Sequence, residues 1–152
     1  MDLLKKLNYR NGNDIWVLGS PPQFEVVLQQ LRELVEVHHD VPTDSAIPFL
    51  LVFVKSQKEV MLQMESVRDH LDINTICWFA YPKRSSKNYT SDVTRDIGWS
   101  PLGDAGYEPV RQIAIDDDWS ALRFKPVSQI KRLTRRTSMA LSDAAKELLQ
   151  KN

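Results

Sequence analysis

The sequence predicts one α/β domain: an open, mostly parallel sheet between two layers of helices, closed by an antiparallel strand. Three observations carry this. The runs "DIWVLGS", "IPFLLVFVK" and "NTICWFAYPK" are apolar at almost every position, the pattern of strands buried on both faces. Between them lie stretches with capping residues followed by apolar residues at helical spacing. After them, "EPVRQIAIDDDWSALRFKP" alternates apolar and polar residues about an acidic turn, which reads as a β-hairpin.

Taken in order, the first strand ends at Gly19, and Ser20-Pro21-Pro22-Gln23 reads as an N-cap, prolines in the first helical turn and a capping-box glutamine. Phe24, Val27, Leu28, Leu31, Leu34 and Val35 then form the apolar stripe of a first helix. The segment "HHDVPTDSA" is polar and reads as a connection. The second strand follows, and Ser56-Gln57-Lys58-Glu59 is a second capping box ahead of a helix whose inner stripe is Val60, Met64, Val67 and Leu71. The third strand leads into a helical region over residues 90–106, broken near Gly98 and Pro101 and terminated at Gly106. The hairpin supplies the fourth and fifth strands. Strand, helix, strand, helix, strand implies right-handed crossovers and parallel pairing. The domain is expected to span residues 1–126, and residues 127–152 to form a basic tail with "KRLTRR" and a short helix starting at Ser142.

Composition bounds the function. A chain of 152 residues fits one core, and its 20 basic and 20 acidic residues argue against a general nucleic-acid or membrane-surface binder. The single Cys77 cannot form an internal disulfide and reads as a small buried hydrophobe. The longest apolar run is too short to span a bilayer, and no apolar leader follows the first residues, so a soluble cytoplasmic protein is expected.

An α/β sheet ending in an antiparallel hairpin resembles the class I methyltransferase fold, in which the last strand inserts between its two predecessors. The resemblance implies five strands in the order 1-2-3-5-4 with strand 5 antiparallel, a reduced version in which the family's second and third strands are lost. The family's cofactor site depends on a glycine-rich turn after the first strand and an acidic residue at the end of the second. Leu18-Gly19-Ser20-Pro21-Pro22 stands where the turn would be, and its prolines remove two backbone donors. No acidic partner is expected either, so neither S-adenosylmethionine nor another cofactor is expected. The stretches "WVLGSPPQF", "FVKSQKEV", "WFAYPKRSSKNYTSDVTRDIGW" and "VRQIAIDDDWSALRF" also resemble an uncharacterised bacterial family known as a domain of unknown function. That likeness implies a bacterial origin and supplies no catalytic residue.

Ligands of open α/β sheets bind outside the carboxyl ends of the strands. There the sequence delivers Ser20, Lys55, Ser56, Lys83, Arg84 and Lys87, with Asp116 and Trp119 from the hairpin turn. Lys55 and Lys83, beside the start of the second long helix, suit a small phosphate-bearing ligand. A plainer reading stands beside this one: the lysines as solvated strand ends, Ser56 as a cap, and the three aspartates as turn residues rather than magnesium or calcium ligands. His38 and His39 read as residues at a helix end, not zinc ligands, and His70 as exposed. Ser85 and Ser86 lack a histidine partner, which leaves no catalytic residue to name. Two other partner classes remain. Nucleic acid would use the loop over residues 83–95, with its four basic residues and Tyr89, together with Lys131, Arg132, Arg135 and Arg136. A protein partner, or a second copy in a homodimer, would use the tail's Met139, Leu141, Leu148 and Leu149.

Overall fold

The computed structural model describes residues 2–10 and 14–130; the basic tail beyond and its expected helix lie outside the described residues. In chain order the elements are α1 (Asp2–Lys6), β1 (Ile15–Leu18), α2 (Glu25–Leu34), β2 (Val37–His38), β3 (Phe49–Phe53), α3 (Gln57–Val67), β4 (Ile76–Pro82), α4 (Ser100–Asp104), β5 (Tyr107–Ala114) and β6 (Trp119–Pro126). One sheet runs β2-β1-β3-β4-β6-β5. The first four strands in that order pair in parallel, and β6 is antiparallel to both of its neighbours.

Every residue of β1, β3 and β4 is buried, as their unbroken apolar runs require. The pleat divides them between two cores. Trp16, Leu18, Leu50, Val52, Cys77 and Phe79 meet Val60, Met64 and Val67 of α3 and Leu102 of α4. Ile15, Val17, Phe49, Leu51, Trp78 and Ala80 meet Leu4 of α1 and Leu28 and Leu31 of α2 on the other face. The sheet therefore lies between two helical layers. Ile113 and Ile115 of the hairpin are only partly buried against the second core.

The structure departs from the sequence reading in six places. The sheet has six strands, not five: β2 pairs with β1 through Ile15 and Val37 and through Trp16 and His38. Two half-buried residues carry no periodicity, so this strand is invisible in the sequence. The N-terminal helix α1 was also unforeseen; it buries Leu4, and the Leu7 carbonyl just after it accepts the Trp78 indole N–H at 2.9 Å. Ser20 does not cap α2. A residue before proline avoids the helical region, so Pro21 is extended and a 3-10 turn over Pro22–Phe24 intervenes before α2 begins. Leu34, assigned to the inner stripe, is 60% exposed.

Between residues 90 and 106 only the five residues of α4 are helical. The Ser91 and Thr94 hydroxyls accept the N–H groups of Val93 and Asp96 at 3.0 and 3.3 Å, and such local bonds compete with a helix. Finally, the histidines do not cap a helix. His38 stacks on Trp16 with ring centroids 4.2 Å apart and pairs with Asp14 at 2.9 Å. His39 lies between the Val17 carbonyl at 3.0 Å and Arg32 at 3.2 Å, so its Nδ1 donates and its Nε2 accepts.

Candidate functional site

Strands β1, β3 and β4 end on one edge of the sheet, and β6 starts there, with Trp119 opposite Pro82. Four connections therefore converge: those after β1, β3 and β4, and the β5–β6 turn. The turn is shaped by Asp116, whose Oδ1 accepts the N–H groups of Asp118 and Trp119, both at 2.8 Å. This points the Asp118 carboxylate at the loop after β4. There it accepts from Ser86 Oγ at 2.8 Å and Asn88 Nδ2 at 3.1 Å, while its backbone carbonyl accepts the Lys83 N–H at 2.7 Å. Gln23, on the turn after β1, donates to Asp118 at 3.3 Å and to Asp116 Oδ2 at 2.8 Å, and its own oxygen accepts the Tyr89 hydroxyl at 3.0 Å.

Asp118 is only 9% exposed. The donors Ser86 and Asn88, then Gln23 and the nearby Lys83 charge, hold its carboxyl below the usual carboxylate range against the opposing pull of burial. The loop after β4 is thus fastened at several points around a fixed negative charge. Beneath it an aromatic floor runs through Tyr89, Trp119, Phe53 and Phe24, each ring about 5 Å from the next: 5.1, 5.1 and 4.9 Å.

The structure brings some of the anticipated residues together and withdraws others. Lys83 is half-buried beside Asp118, Arg84 and Lys87 are exposed on the same loop, and Lys55 is exposed at the end of β3. Among the described residues none of these four cations is in an ion pair. Ser20 is half-buried after β1, and Trp119 belongs to the core floor at 1% exposure. Ser56 caps α3, accepting the Glu59 N–H at 3.1 Å. The α3 start, expected to be free for a ligand, already holds a carboxylate of the chain, since Gln57 N–H donates to Asp92 Oδ1 at 2.9 Å. Gln23 and Asn88 were missed as site residues, and Tyr89 was placed only on a nucleic-acid loop, because their partners lie 30 or more residues away.

An acidic residue does follow the edge strand β2. Asp40 lies two residues beyond β2, exposed, with its carbonyl accepting the Trp16 indole N–H at 3.1 Å. No group of three or more histidine, cysteine or acidic side chains suited to a metal ion occurs among the described residues.

No family model and no curated protein matches the chain, so the likeness to an uncharacterised bacterial family gains no support there. Solved structures do match. An S-adenosylmethionine-dependent methyltransferase from Aquifex aeolicus is 11% identical, with TM-score 0.53 over 83% of this chain and 88% of its own. The B. subtilis M1A22 tRNA methyltransferase TrmK is 9% identical, with TM-score 0.51 over 99% and 76%. The fold is methyltransferase-like. LepI in complex with S-adenosylmethionine gives 12% identity and TM-score 0.51 over 82% of this chain, which spans only 39% of the LepI chain.

The cofactor these neighbours suggest does not fit the residues after β1. Gly19 has φ +69°, but its bare face is turned to β3, where a Cβ would stand 2.8 Å from the Phe53 carbonyl oxygen. Pro21 and Pro22 have no N–H to offer, and the Gln23 carboxamide is committed to Asp116, Asp118 and Tyr89.

Proposed function

We propose that this chain is a binding protein on a methyltransferase-like scaffold, without methyl-transfer activity, that takes a small phosphate-bearing molecule at the carboxyl edge of its sheet. The observation that carries this reading is the fastened loop after β4. Its bonds to Asp118 and Gln23 fix the loop that carries Lys83, Arg84 and Lys87, at the same sheet edge as the exposed Lys55, so part of the entropy cost of gathering cations around an anion is met before the ligand arrives. Asp118 lies beside Lys83, but Arg84, Lys87 and Lys55 are exposed and in no ion pair among the described residues, and a ligand anion would relieve their mutual repulsion. The reading has the protein working in the cytoplasm of a bacterium. No helix among the described residues is long and apolar enough to cross a membrane.

A thermal-shift screen of the full chain against pyrophosphate, nucleotides, sugar phosphates and polyphosphate tests it, because a ligand that binds only the native state raises Tm. At least one phosphate compound is expected to raise Tm, and the double change Lys55→Ala with Lys83→Ala to abolish the rise. No shift with any of them defeats the proposal. If nucleic acid is the ligand instead, binding will fall steeply with salt and weaken when Arg135 and Arg136 are replaced by alanine.

A further inference from the structure

Because β6 runs antiparallel to β4, its end returns to the start of β4, with Phe124 paired to Cys77. This is the amino edge of the sheet, roughly 20 Å along the strands from the edge described above. A pocket of about 410 Å³ opens there. Three of its walls are cationic: Arg10 from the chain after α1, and Arg123 and Lys125 from β6. Among the described residues no acidic side chain lines it.

The alternation of β6 explains the gathering of charge. Leu122 and Phe124 point into the core under α3, and Arg123 and Lys125 stand on the opposite face. In the β5–β6 register Arg123 faces Arg111, and like charges directly opposite are unfavourable. Arg123 is half-buried, and its Nε is buried without a hydrogen-bond partner among the described residues. Burial, then the charges of Arg10 and Arg111, lower its pKa. Glu108 faces Lys125 and is buried, and the Asp72 carboxylate accepts the N–H of the lining residue Asn74 at 2.8 Å.

We infer that this pocket is a second anion site, taking the phosphate group of a small phosphorylated molecule between Arg10, Arg123 and Lys125. A guanidinium fork matches phosphate oxygens in pairs, which an ammonium does not. The volume falls in the range of small-molecule pockets, roughly 300–1,000 Å³. Ile73, 60% exposed at the rim, and Pro126 offer an apolar wall to the organic part of such a ligand.

Calorimetry at low salt with pyrophosphate and with AMP, on the full chain, tests this. Saturable binding is expected, weakened about tenfold by Arg10→Ala and more by Arg123→Gln, with Arg123→Lys intermediate because it keeps charge but loses the fork. Arg10 is exposed, so its replacement reads the site even if Arg123→Gln disturbs the fold. Lys55→Ala with Lys83→Ala should leave this binding unchanged, which separates it from the carboxyl-edge reading. Absence of saturable heat with both probes, or binding that survives both Arg10→Ala and Arg123→Gln, overturns the inference. So does a short single-stranded RNA that binds where AMP and pyrophosphate do not.

Discussion

The carboxamide of Gln23 donates a 2.8 Å hydrogen bond to Asp116, joining residues 93 positions apart. The same amide nitrogen also reaches Asp118 at 3.3 Å. The loop after β1, the loop after β4 and the hairpin turn are therefore one cross-linked unit around acidic side chains, with Lys83 half-buried beside Asp118 and Arg84 and Lys87 exposed.

The pH dependence of stability should report this unit. The folded pKa of Asp118 is depressed, so its contribution is present above the unfolded carboxyl pKa of roughly 4 and is lost as pH falls through the folded value. Asp118→Asn should lower Tm at neutral pH, and the wild-type and mutant curves should converge in acid. Parallel curves from neutral pH down to acid would mean that the carboxylate is not what fastens the loop.

Leu50 and Leu51 are neighbours in β3 that enter different cores, one under α3 and one under α2. Both are fully buried. Leu50→Ala and Leu51→Ala should therefore each cost about 2–5 kcal/mol in urea unfolding. A solvated sheet face would make one of the two nearly neutral, so a cost well below that for either removes a helical layer.

Gly19 separates two effects. A side chain there would meet the Phe53 carbonyl, and φ +69° is unfavourable for most residues. Gly19→Ala should destabilise by about 1–3 kcal/mol from the backbone alone, and more if β1 is pushed from β3. Asparagine tolerates this φ but carries the same Cβ. If Gly19→Asn is as damaging as Gly19→Ala, the contact with Phe53 decides; if it is mild, the dihedral does.

What was legible in the sequence followed from periodicity, and what was not depended on partners far away or on elements too short to repeat. The runs around Trp16, Leu50 and Trp78 announced buried parallel strands because burial on both faces leaves no polar position. Ser56 and Glu59 announced α3 because a capping box is local. β2 had two residues in which to show a pattern. Gln23 carried the signature of a capping-box residue, yet the prolines before it moved the helix start to Glu25 and freed its side chain for the hairpin. At the site, the sequence placed Lys83, Arg84 and Lys87 on a shared edge, since topology fixes which strand ends meet. It did not reveal that Asp118 stands among them, because a run of three aspartates does not say which one turns inward.

Cys77 should be inert in the native protein. Burial pushes its thiol up to about 12, with the nearby Arg123 acting weakly the other way. Thiolate at mildly alkaline pH is then suppressed on the order of a thousandfold relative to an ordinary cysteine. Labelling by a disulfide reagent should be limited by unfolding and accelerate with urea. Prompt labelling without denaturant would contradict the burial of β4.

The last prediction concerns the cofactor of the structural neighbours. Three of the four positions that bear on it argue against binding: the prolines at 21 and 22 remove donors, and the face of Gly19 is closed by Phe53. The fourth, Asp40, is an exposed carboxylate two residues beyond β2. One carboxylate in water is a weak anchor, worth far less than a set of backbone donors aimed at a ligand. Titration calorimetry with S-adenosylmethionine should therefore show no saturable heat, and Asp40→Ala should change nothing. A micromolar Kd that Asp40→Ala weakens would restore the cofactor site, and with it the case for methyl transfer.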